Sequence, residues 1–132
     1  MTKIGVSGHR CIRELDRVKV GINEALRIID NTFTEPFIIF SSLAEGADQL
    51  IVAQALNCWD DAGLVVSQAL SVHDYLDDFV NEESKDKYLG LLNQAVDVFS
   101  PPVAATRELA YTMAGQRILD LCDVLVAIWD GQ

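Results

Sequence analysis

The chain has 132 residues, half of them apolar, with 20 acidic against 10 basic side chains and a formal net charge of −10. That length suits one domain with a hydrophobic core of its own, and the composition excludes a disordered tail. The acidic balance repels DNA and RNA over most of the surface, although a local basic spot still suits a single phosphate group.

No apolar run approaches the ~20 residues that span a bilayer, so no membrane partner is expected. The sequence passes from Lys3 directly into a strand-like run, without the pattern of a signal peptide. Cys11, Cys58 and Cys122 contain no C-x-x-C pair, which indicates neither a disulfide framework nor a zinc site. Buried or idle thiols in a reducing cytoplasm are the expectation.

Strand and helix patterns alternate in chain order. "KIGVSG" (3–8) reads as a short buried strand. In 12–30, Ile12, Leu15, Val18, Ile22, Leu26 and Ile29 recur at spacings of three and four, which is one helical face. Pro36 precedes a second strand, "FIIFSS" (37–42), and 47–59 reads as a helix that buries Leu50, Ile51, Ala55 and Trp59. "LVVSQAL" (64–70) is a third strand. The acidic stretch 73–87 is expected to form a solvated surface, with a turn or two of helix at 73–80. A helix over 85–95 carries Tyr88, Leu91, Leu92 and Ala95 on its apolar side. A fourth strand at 96–100 stops at Pro101-Pro102, a helix follows over 105–122, and "DVLVAIWDG" (123–131) is a fifth strand.

Apolar strands joined by helices predict an α/β fold: a doubly wound, mostly parallel, Rossmann-like sheet of five strands with flanking helices. In such sheets ligands bind beyond the carboxyl ends of the strands, near a switch in strand order. The segments that follow these strands are polar and rich in glycine. The first strand ends in Ser7, Gly8, His9 and Arg10; the second leads into Ser41, Ser42, Glu45, Gly46 and Asp48; the fifth ends in Asp130 and Gly131.

Gly8 permits a sharp turn and a close approach of ligand to backbone. Arg10 offers a planar fork to phosphate or carboxylate, or pairs with a neighbouring acid. His9 suits a hydrogen bond or proton chemistry near neutral pH. Gly46 lies where a helix begins, and the free N–H groups there favour anions. Ser41 and Ser42 add hydroxyl donors. Glu45 and Asp48 suit either helix capping or acceptance from ribose hydroxyls. Arg107, near a helix start at the same edge, is a second candidate for the anion site, and Trp129 suits either the core or a wall for a base. Gly115 lies inside a helix, at a cost of ~1 kcal/mol relative to alanine, and close helix–sheet contact is the expected reason for it.

The spacing matches neither G-x-G-x-x-G nor G-x-x-x-x-G-K-[ST], so the usual dinucleotide fingerprint and the P-loop are excluded. There is no G-x-S-x-G elbow and no H-E-x-x-H, and the two histidines have no metal-ligand spacing.

"GVSGHR" (5–10), "SSLAEGADQLIVAQAL" (41–56), "SVHDYLDDF" (71–79) and "DVLVAIWDG" (123–131) stand in an order and spacing that resembles the SLOG superfamily, the Rossmann-like group named for the Smf/DprA and LOG proteins. The likeness is to its bacterial branch with a G-H-R opening and a W-D-G strand end. It implies a pocket for a nucleotide or nucleotide-derived ligand, with Gly8 and Arg10 in the first loop, Ser42, Glu45, Gly46 and Asp48 in the second, and Asp130 and Gly131 at the last strand end.

LOG enzymes release a base from nucleoside 5′-monophosphates, Smf/DprA members bind single-stranded DNA, and other members are nucleotide sensors. The acidic balance here disfavours DNA. In the family a G-G-T type loop and a further helix follow W-D-G. This sequence ends at Gln132, so the phosphate loop and its helix are expected to be missing. The expectation is a ligand-binding or sensing domain, with a phosphoribohydrolase as the alternative and Glu45, Asp48 or Asp130 as its carboxylate. No cofactor or metal is implied. An uncovered apolar sheet face would suit a second copy of the chain.

Overall fold

A computed structural model describes residues 1–8 and 14–128. Ten elements follow in chain order: β1 (Thr2–Gly8), α1 (Leu15–Thr32), β2 (Phe37–Ser41), α2 (Ala47–Cys58), β3 (Gly63–Ser67), α3 (Val72–Asp77), α4 (Glu82–Gln94), β4 (Asp97–Phe99), α5 (Arg107–Leu121) and β5 (Val124–Ile128). The five strands form one parallel sheet in the order β4-β3-β2-β1-β5, as the alternation of apolar strands and helices predicts.

Side-chain alternation along the strands divides the core in two. Ile4 and Val6 of β1, Phe37 and Ile39 of β2, and Leu64 and Val66 of β3 meet Ile22, Leu26 and Ile29 of α1, Ile51, Val52 and Ala55 of α2, and Leu91 of α4. The opposite parity, Phe40 and Val65 with Ile38 behind them, meets Ile118 of α5. Helices α1, α2 and α4 thus cover one face, and α5 covers the other, the doubly wound arrangement.

Several boundaries differ from the sequence reading for physical reasons. α4 begins at Glu82, three residues before the predicted start, because the Asn81 side chain accepts from the Glu83 N–H at 2.7 Å and two acids occupy the first turn. β3 ends at Ser67 rather than residue 70: the Gln68 N–H reaches the Phe99 carbonyl, and the ladder stops there. α1 begins at Leu15, after Glu14 in a left-handed conformation (φ 52°). Leu15 is 47% exposed rather than buried, because it borders a surface groove instead of the sheet.

The acidic stretch is not wholly a solvated surface. Within it, Tyr75 and Phe79 are buried, and with the buried Tyr88 just beyond it they pack ring against ring at centroid distances of 5.2 to 5.6 Å. Cys58 is an exposed free thiol and Cys122 a half-buried one; Cys11 lies outside the described residues. Among the described residues, no helix is long and apolar enough to cross a membrane.

Candidate functional site at the carboxyl edge of the sheet

Strands β1 to β4 succeed one another in one direction, and β5 returns to the other side of β1. The switch in strand order therefore falls between β1 and β5, where Gly8 pairs with Ile128. A cavity of about 400 Å³ opens at this edge, lined by Ser7 and Gly8 of β1, Ser42 and Ala44 of the β2–α2 connection, Asp48 in the first turn of α2, Tyr75 of α3, and Tyr111 and Gly115 of α5.

Gly8 is set by packing. A Cβ there would lie 2.5 Å from the Ala47 Cβ, so only glycine lets the first turn of α2 close onto the end of β1. That contact brings the first turn of α2 against the end of β1, with Asp48 on the cavity wall and Gly46 and Gln49 turned to the helical-layer groove. Gly46 precedes that turn at φ 96°, a conformation that side chains oppose. Between the two, Ser41 and Ser42 part company. Ser41 is fully buried and its Oγ accepts from the Leu43 N–H at 2.9 Å, which holds Leu43 at φ 55°. Ser42 lines the cavity. Of the two hydroxyls expected as donors, one builds the loop and the other faces the space.

The two acids also divide. Asp48 is 5% exposed and lines the cavity. The Glu45 carboxylate instead accepts the N–H groups of Val80, at 3.1 Å, and Asn81, at 3.0 Å. Glu45 thereby ties the β2–α2 loop to the turn after α3. The Arg107 guanidinium is similarly engaged: Nη1 donates to the Asp74 carbonyl at 3.1 Å and to Asp78 Oδ2 at 3.0 Å. Tyr111 Oη donates to the same carboxylate oxygen. Glu45 and Arg107, read in the sequence as ligand candidates, therefore fasten α3 over the edge. His9, Arg10, Trp129, Asp130 and Gly131 lie outside the described residues.

Sequence reasoning missed four participants. Tyr75 and Tyr111 form the aromatic side of the cavity, with ring centroids 5.8 Å apart. Their signal was an i, i+4 relation between Tyr111 and Gly115 on one helix face. Asp78 was hidden in an acidic run. Arg117 acts behind the site: Nε donates to Ser67 Oγ, Nη1 to the Ser100 carbonyl and Nη2 to the Gln68 carbonyl. It ties α5 to the ends of β3 and β4, and burial pushes its pKa down.

The expected reason for Gly115 is overturned. A Cβ on Gly115 meets nothing within 4 Å, whereas one on Gly5 would lie 2.8 Å from Ile118 Cγ2 and 3.0 Å from Cys122 Sγ. Close helix–sheet contact is the work of Gly5. From there the space between α5 and β1 widens toward the carboxyl edge.

Two other hollows have similar volumes and different chemistry. One of about 460 Å³ lies at the opposite strand ends and is walled by Glu35, Asp60 and Asp61, which repel anions. The other, about 440 Å³, runs over the helical layer between Leu15, Lys19, Leu50 and Leu91. Its Lys87 pairs with Glu83 at 3.4 Å. His73, Asp74 and Asp77 bring three metal-ligating groups together on α3, all exposed, a common surface arrangement without an ion.

Comparison with protein-family models finds no match to the chain, and comparison with curated proteins finds none either.

Proposed function

We infer that the chain binds a nucleotide or nucleotide-derived ligand at the carboxyl edge of the sheet. The observation that supports this most strongly is the cavity at the strand-order switch, where Gly8 brings the start of α2 against the end of β1. Phosphate is the group that suits Ser7, Gly8 and Ser42. Aromatic Tyr75 and Tyr111 suit a base or ribose on the other side. Asp48 suits the ribose hydroxyls as an acceptor.

Thermal denaturation with AMP, cyclic AMP and ADP-ribose tests this reading. A ligand at ~100 times its Kd adds ~2.7 kcal/mol, which raises Tm by several degrees. No stabilisation by any of the three would remove the proposal.

The burial of Asp48 favours a second reading, nucleoside 5′-monophosphate hydrolysis. With Glu45 tied to the 80–81 turn, Asp48 is the carboxylate of the cavity lining that suits an oxocarbenium-like ribosyl centre. Base release from AMP that disappears in Asp48→Asn supports it; no release by the unaltered chain contradicts it.

A further inference from the structure

A second hollow, about 290 Å³, adjoins the first and shares Val6, Ser7, Tyr111, Gly115 and Ile118 with it. Its remaining walls are Thr112, Gln116 and Leu119 of α5 and Leu125 of β5. The shared residues form a waist between two lobes of different chemistry. The larger lobe has strand ends, Ser42, Asp48 and the start of α2; the smaller has apolar walls with Thr112 and Gln116 at its border.

Gly115 is the residue of the waist that no contact among the described residues explains. Glycine in a helix interior is disfavoured against alanine, and here a Cβ would meet no atom within 4 Å. Gly21 and Gly90 also have open surroundings, but both lie on exposed helix faces. Gly115 alone of these three faces a cavity at the carboxyl edge. Leu119 and Leu125, on the far side of the waist, remain 50% and 41% exposed, apolar surface that a flat ligand would take out of water.

We propose that the two lobes form one bipartite site, in which Gly115 leaves passage for the base of a nucleotide whose phosphate lies at Gly8 and Ser42. This inference rests on the nucleotide reading and adds an orientation to it: the base lies over the bare α5 backbone beside Tyr111, against Leu119 and Leu125. Gly115 is then a specificity-determining residue. It admits a planar ring where a bulky side chain would fill the waist, at a distance from Gly8 and Ser42 on the far wall of the larger lobe.

Titration calorimetry with two probes separates the two claims. The unaltered chain binds both ribose 5-phosphate and AMP. Gly115→Leu keeps its affinity for ribose 5-phosphate within about twofold and loses about tenfold or more for AMP. Gly115→Ala, a control for folding, raises the Tm of the ligand-free chain by about 3 °C through helix propensity. If Gly115→Leu binds AMP as tightly as the unaltered chain, or loses both probes equally, the bipartite site is overturned and the nucleotide reading stands. If the unaltered chain binds neither probe, the nucleotide reading falls and the bipartite site with it.

Discussion

The two faces of the sheet are built differently. One carries three helices and a continuous core in which Ile22, Ile39, Ile51, Val52 and Val66 have no measurable exposure. The other carries α5 alone, with a small buried cluster of Phe40, Val65 and Ile118. α5 touches β1 tightly at Gly5, then departs from it toward the carboxyl edge, where the cavities open. Stability resides chiefly on the first face and open space on the second. A helix that stands away from its sheet buries less, and polar ties such as those of Arg117 compensate.

The largest expected effect comes from the three-helix face. Ile51→Ala should cost about 3–4 kcal/mol in urea denaturation, since the side chain is fully enclosed and its neighbours are held by three elements. Ile118→Ala should cost less, about 2 kcal/mol, because it already borders the cavity. Equal losses would contradict the division.

Arg117→Met should cost about 2 kcal/mol by the same measurement, with the carbonyls of Gln68 and Ser100 and the Ser67 hydroxyl each losing a donor. Arg117→Lys should not restore it, since an ammonium lacks the planar fork.

A smaller effect, about 1 kcal/mol, is expected for Glu45→Ala, which removes the acceptor for the Val80 and Asn81 N–H groups. Hydrogen exchange in that variant should quicken first at residues 78–81 and little in β2.

The smallest effect appears only in alkali. Burial raises the Tyr88 pKa above its ordinary value of 10.0, against an opposing hydrogen bond from the Gln68 side chain. The folded state therefore favours the protonated phenol. Its contribution is fully present below pH ~10 and is lost as pH rises through the folded-state pKa. Tyr88→Phe should flatten the decline of stability above pH ~10, and an unchanged alkaline slope would exclude Tyr88 as its source.

The strand–helix alternation was legible because apolar runs and three-four spacing report burial on a repeating geometry. That is why the five-stranded parallel sheet and its flanking helices agree with the sequence reading. Side-chain commitments were not legible. Glu45 and Arg107 have the chemistry of ligand contacts, yet their partners, the Val80 and Asn81 amides and Asp78, lie about thirty residues away in the chain. Gly115 and Gly5 have the same composition signal, and only the distance between α5 and β1 at each position tells contact from space. Tyr75 escaped notice because its buried ring sits among aspartates.

The central claim is that the ligand occupies the carboxyl edge between β1 and α5. Titration of the isotopically labelled chain with AMP, followed by backbone amide shifts, tests it most directly. The Gly8, Ser42, Asp48 and Gly115 amides should move together with one saturation curve. Shifts confined to Lys19, Lys87 and Gly90 in the helical-layer groove, or none at the sheet edge at saturating AMP, would contradict it.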